Sequence, residues 1–267
     1  MRGLQEQWVA DVDSVHVTSR GCAPASSDAD PMSIVTFSHC GEEEPLVLRM
    51  RHCAHRAAHT GGHIWQASRH LAMWLYARRA QLHSSLRILE IGCGLALPSI
   101  LAAKLGASVV ATDSLPSLLE HLKLNAQLNN CGGIQTRPLD FSLRSDVQSV
   151  AAHGPFHLII FSDVVYGGSD GTALPYALAE LLRSSGPEAA AVGVFPNAIR
   201  SGVDAFWQHA TNVLVWTKAE MARDDEDDPR CGRLYVFRAR PGGEQALDGS
   251  RWAKEDPDVE GDLAPLF

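Results

Sequence analysis

The chain has 267 residues, 45% of them hydrophobic and 20% charged, with a net charge of -8 and a pI near 5.8. That length suits one sizeable α/β domain with short decorations, and the acidic balance argues against a nucleic-acid binder and for a basic protein partner. Six cysteines (22, 40, 53, 93, 131 and 231) form no C-x-x-C pair, no apolar leader is visible at the N-terminus, and no apolar run approaches the ~20 residues that span a bilayer, so a disulfide framework, a structural zinc site and a membrane span are all disfavoured.

The expected compartment is accordingly the cytoplasm, with the nucleus open. Residues 1–31 read as a weakly ordered arm with one edge strand near Trp8 to Val17. Ile34 to Phe37 and Leu46 to Met50 read as a β-hairpin around the turn-like Gly41 to Pro45. Thr60-Gly61-Gly62 breaks the chain, and Ile64 to Leu82 carries helical spacing through Leu71, Trp74, Leu75 and Leu82.

Strands and helices then alternate. Strands are expected at 87–91, 108–112, 134–139, 156–161, 189–195, 212–217 and 234–238, with helices at 97–105, 115–128, 173–183 and 203–210. Alternation of this kind gives parallel strands joined by crossover helices. No helical pattern separates the last two strands, so they are expected to pair antiparallel. The expected fold class is therefore α/β: a doubly wound, Rossmann-like seven-strand sheet, mostly parallel with an antiparallel last strand. The domain division is an arm and hairpin over 1–59, a catalytic domain over 60–240 and a disordered tail over 241–267, which is rich in Gly, Pro, Asp and Glu.

The richest motif is Leu89-Glu90-Ile91-Gly92-Cys93-Gly94-Leu95-Ala96-Leu97-Pro98, an apolar strand running through a Gly-rich turn into a helix. Glycines there let backbone N–H groups approach a ligand at the switch point of the sheet. Asp113, at the end of the next strand, is placed to accept both ribose hydroxyls of an adenosine cofactor. A dinucleotide fingerprint wants Gly or Ala where this chain has Leu97. Glu90 would repel a pyrophosphate but attract the sulfonium and ammonium of S-adenosylmethionine, which is the expected cofactor.

The run His52-Cys53-Ala54-His55 with His59 and His63 invites a metal, but Gly61 and Gly62 break the helix that would gather those histidines on one face. The acidic run 224–228 reads first as a solvated loop. Cys93 has no partner base and reads as a small filler rather than a nucleophile.

Five segments resemble the seven-strand methyltransferase-like proteins known as lysine methyltransferase family 16, among them methyltransferase-like proteins 21 and 23. They are Gly62-His63-Ile64-Trp65, Leu89 to Gly94, Thr112-Asp113, Leu139-Asp140-Phe141-Ser142 and Ser162-Asp163-Val164-Val165-Tyr166. The resemblance covers about residues 60–240. It implies that Trp65, Gly92, Cys93, Gly94, Asp113, Phe141 and Ser162 line the cofactor site, alongside Glu90. It also implies that Asp163 and Tyr166 face the acceptor amine as the catalytic pair.

Two positions depart from the family pattern. Ala96 replaces a frequent Gly, in a loop similar to that of the arginine-modifying protein 23. Phe141 replaces Trp and lacks its indole N–H. The Asp163–Tyr166 signature resembles the lysine branch. The expected function is thus methylation of a lysine-presenting, basic protein substrate. Arginine or small-molecule amine methylation remains an alternative, as does a cofactor-binding pseudoenzyme.

Overall fold

The computed structural model describes residues 15–22, 31–41, 43–53, 60–196, 201–219 and 232–243. The acidic run 224–228, His55, His59, the first fourteen residues and all but the start of the expected tail lie outside these residues.

Two sheets organise the molecule. Strands β1 (Val15–Cys22), β2 (Met32–His39) and β3 (Leu46–Arg51) form an antiparallel three-stranded sheet. The hairpin expected between β2 and β3 is present. β1 starts where the expected edge strand was to end and runs on to Cys22.

The larger sheet has strands β4 (Arg87–Ile91), β5 (Ser108–Asp113), β6 (Gln135–Pro138), β7 (Leu158–Ser162), β8 (Ala190–Pro196), β9 (Leu214–Lys218) and β10 (Gly232–Ala239). Their order is β6-β5-β4-β7-β8-β10-β9. β4 pairs parallel with both β5 and β7, while β10 pairs antiparallel with β8 and β9. This is the expected doubly wound sheet, with β10 inserted between the two strands that precede it. The strand order reverses at β4 and β7, and a crevice opens there at the carboxyl ends of the strands.

Helices α1 (Gln66–Ala77), α2 (Leu97–Lys104) and α3 (Pro116–Leu128) accompany the first half of the sheet; α4 (Arg144–Ala151), α5 (Gly168–Ser185) and α6 (Ser201–Val213) accompany the second. Two apolar layers result. One joins Leu71, Trp74 and Leu75 of α1 to Ile88, Ile100 and Ile160. The other joins Leu89, Ile91 and Phe161 to Leu174, Leu178 and Phe206. The period of two along β4 sends Ile88 to the first layer and Leu89 and Ile91 to the second. Glu90 follows Ile88 onto the α2 side.

One helix is new against the sequence expectation and several element ends shift: the helix expected over 64–82 is α1 at Gln66–Ala77, and α6 runs on to Val213. No element is expected from sequence between 139 and 156, yet α4 lies there, with only Val147 and Val150 of its eight residues buried. α5 starts already at Gly168 rather than at 173, because the Asp170 carboxylate accepts the N–H groups of Tyr166 and Gly167 at 3.0 Å each and satisfies donors a helix start leaves open.

The small sheet is laced to α3. The Asn125 side chain accepts the Arg51 N–H at 2.8 Å and donates to the Arg51 carbonyl at 3.0 Å. Asn129 does the same for Arg49, at 2.8 and 2.7 Å. Two amides one helical turn apart thus stand in for a neighbouring strand along the free edge of β3. No helix among the described residues is long and apolar enough to cross a membrane.

Candidate active site

A cleft of about 310 Å³ opens beyond the carboxyl ends of β4, β5 and β7. Its floor is the loop Gly92–Leu95, and its walls come from α1, the turn after β5, the segment Leu139–Ser142 and the turn after β7. The volume falls at the lower end of the ~300–1,000 Å³ usual for small-molecule sites.

The floor owes its shape to backbone that L side chains rarely adopt. Gly92 has φ +64° and Gly94 has φ +51°. A Cβ on Gly92 would meet Val164 at 2.5 Å, and one on Gly94 would meet the Gly61 carbonyl oxygen at 3.0 Å. Ala96 also takes a left-handed conformation, φ +62°, so the replacement of the family's glycine keeps the loop path at a strain of about 1–2 kcal/mol. Pro98 then sits in the first turn of α2, where a missing N–H costs little.

Asp113 fixes this loop from the next strand. Its carboxylate accepts the Gly94 N–H at 2.9 Å and the Leu115 N–H at 3.0 Å. Burial raises its pKa, and the backbone donors of Leu115, Gly94 and Ser114 oppose that rise. With about four acceptor sites and three backbone donors, the carboxylate keeps a site for a ligand hydroxyl.

On the α1 wall, Trp65 is 44% exposed and donates its indole N–H to the Thr60 carbonyl at 2.7 Å. This aromatic faces the cleft rather than the core. Opposite stand Leu139 and the half-buried Phe141. Their turn is held by Asp140, which accepts the Ser142 N–H at 2.9 Å and its hydroxyl at 2.6 Å. Ser162 and Tyr166 complete the wall after β7, with Tyr166 48% exposed at the rim.

Eight of the ten residues singled out from sequence therefore meet in one cleft: Trp65, Gly92, Cys93, Gly94, Asp113, Phe141, Ser162 and Tyr166. Two stand behind its walls. Asp163 is 8% exposed, takes φ +52°, and donates its N–H to the Val194 carbonyl at 2.9 Å. Glu90 is 1% exposed beneath α2, where its Oε2 accepts the Ser99 N–H at 3.1 Å and the Ser99 hydroxyl. Burial pushes the Glu90 carboxyl up to about 8; the two Ser99 hydrogen bonds oppose this, and the neighbouring Asp113 adds to it. Burial also pushes the Cys93 thiol well up, with Asp113 and Glu90 adding to the shift, so Cys93 is a filler and not a thiolate.

Sequence reasoning missed Leu115 and Leu118 at the start of α3, and Ser169 and Asp170 at the start of α5. The first pair follows Asp113 directly, so the strand–helix turn that presents one ligand group presents both. Among the described lining residues the acids are Asp113, Asp140 and Asp170; His63 is the sole basic type, and no Lys or Arg takes part. A pyrophosphate finds no counter-charge here, whereas a cation finds three carboxylates. Apolar platforms, a carboxylate at the end of β5 and a Gly-lined floor fit S-adenosylmethionine.

The profile of the lysine methyltransferase family matches residues 46–192. The chain is 34% identical over 113 residues to histone-arginine methyltransferase METTL23 of Xenopus laevis, covering 41% of this chain and 47% of that protein. It thus spans about half the length of that relative. It is 27% identical over 230 residues to the protein N-terminal and lysine N-methyltransferase EFM7 of Cryptococcus neoformans, covering 72% of this chain and 76% of that one. The S-adenosylmethionine-dependent methyltransferase of Agrobacterium tumefaciens superposes with a TM-score of 0.51 at 17% identity, over 82% of this chain and 73% of that chain, a likeness of fold. With its profile matched over more than half its length, the chain belongs to the lysine methyltransferase family.

Proposed function

We propose that the protein transfers a methyl group from S-adenosylmethionine to an amine of a protein substrate, with lysine as the acceptor. The observation that carries this reading is the cleft: a Gly-lined floor, Asp113 tied to that floor from the end of β5, and acidic walls without a Lys or Arg among the described lining residues.

S-adenosylmethionine supplies the electrophilic methyl group. The chain's task is to hold a neutral amine in line with it, and such positioning accounts for a large share of catalysis in two-reactant transfers. A lysine amine has a reference pKa of ~10.4, so nearly all of it arrives as ammonium. Tyr166 offers an aromatic face to that cation at the rim. Asp170 and Asp140 make the entrance acidic, which favours a basic protein partner. Asp163 acts from behind the wall: its left-handed backbone sets the turn Ser162–Tyr166, and its buried carboxylate supports positive charge next to Ser162.

A second reading, arginine as acceptor, is favoured by the name and identity of the METTL23 relative. The longer match, to a relative named for N-terminal and lysine methylation, supports the amine reading. Four cysteines stand as free thiols among the described residues, which supports a reducing compartment, cytoplasm or nucleus.

The test is incubation of the purified protein with cell extract and S-adenosylmethionine tritiated on its methyl group. Label in protein supports the reading. Label confined to small molecules, or none, overturns it.

A further inference from the structure

Glu90 forms no part of the cleft wall, yet it lies two residues before the cleft floor and is fully enclosed. The strand period places it on the α2 side of β4, the side on which Ile88 belongs to an apolar layer. Its hydrogen-bond donors are the neutral N–H and hydroxyl of Ser99 on α2. The titratable groups that act on it and its surroundings are themselves acids, Asp113 from β5 and the Cys93 thiol from the loop. No ion pair to Glu90 is present among the described residues.

A buried carboxyl without a cation keeps its proton near neutral pH, in line with its rise to about 8. The methyl donor carries a sulfonium, an ammonium and a carboxylate, a net charge of one positive unit. The demethylated product, S-adenosylhomocysteine, has lost the sulfonium charge and is net neutral. Charges separated by protein interior interact over distances that water would screen, so a ligand cation on the Gly92–Leu95 floor acts on Glu90 through the loop.

We propose that Glu90 is the residue by which this site tells methyl donor from spent product: binding of the cationic donor drives the Glu90 proton into solvent, and binding of the neutral product leaves it in place. The proposal rests on the reading of the cleft as an S-adenosylmethionine site. Its consequence is directional. Loss of the methyl group removes the charge that held Glu90 ionised, the carboxyl regains a proton from water, and the product loses the attraction that held the donor.

The experiment is titration calorimetry of the whole chain with each ligand, in two buffers of different ionisation enthalpy. At pH 7 the donor should release a proton count approaching one, and the product close to none. The ratio of donor to product affinity should rise from pH 6 to 8 by up to about tenfold per pH unit and level off above. The ligand's own α-amine, ~7.7–8.0 in reference compounds, titrates nearby, and Glu90→Gln isolates its contribution. That variant should bind the donor with the wild-type protein's low-pH affinity and bind the product unchanged. Equal proton release for both ligands in the wild-type protein overturns the proposal, whether or not the variant folds. A donor-to-product affinity ratio whose pH slope survives in Glu90→Gln also overturns it, leaving the cofactor reading intact. Failure of both ligands to bind overturns the two together.

Discussion

The Asp113 carboxylate accepts the Gly94 N–H at 2.9 Å, tying the tip of β5 to the floor of the cleft beside it. The residue expected to hold the ribose thus also holds the loop that the rest of the cofactor lies on. Asp113→Ala should weaken S-adenosylmethionine binding by roughly 1.5–3 kcal/mol, the range for hydrogen bonds to a charged group. Asp113→Asn, which retains one acceptor, should lose less. Calorimetry checks both; NAD should give no heat with the wild-type protein.

Gly94→Ala tests the floor from the other side. The new Cβ would lie 3.0 Å from the Gly61 carbonyl oxygen on backbone at φ +51°. Left-handed backbone alone costs a non-glycine residue about 1–2 kcal/mol. The expected outcome is a cofactor affinity at least tenfold weaker, with a circular dichroism spectrum like that of the wild-type protein.

The small sheet is predicted to depend on two amides. Asn125→Ala leaves the Arg51 N–H without its side-chain partner, while the Arg51 carbonyl keeps the His121 imidazole at 2.9 Å. Buried polar groups left without partners cost about 1–3 kcal/mol each. A chain of this size should then lose roughly 2–4 °C in Tm per kcal/mol lost, which thermal denaturation measures. Asn129→Ala should behave alike, and Leu124→Ala on the exposed face of the same helix should change little.

The seven-strand alternation was legible because buried parallel strands such as Leu158–Ser162 read as unbroken apolar runs. The cleft floor was legible because its glycines and Asp113 sit at strand ends whose spacing is fixed. α4 was not legible, since Val147 and Val150 are too few to display a period. The lacing of β3 by Asn125 and Asn129 was hidden for another reason: it joins residues 74 and 80 positions apart and uses a residue type that reads locally as a helix end. The depth of Glu90 and Asp163 was also hidden. A sequence places a carboxylate at a strand end but does not say which side of the wall it occupies.

The acceptor chemistry predicts its own pH dependence. A lysine must shed a proton before attack, so the rate on protein substrate should climb between roughly pH 7 and 9. Tyr166→Phe should lower kcat/KM less than Tyr166→Ala, because the exposed ring offers its face to the cation. Steady-state kinetics across that range checks both statements.

The most direct measurement is mass spectrometry of the methylated product, made with wild-type protein and with Asp163→Asn. The account predicts a methyl group on a lysine side-chain nitrogen. It also predicts a variant whose kcat falls at least tenfold while its affinity for S-adenosylmethionine stays within about twofold. A methyl group on an arginine or a small molecule, or wild-type turnover in Asp163→Asn, would contradict it.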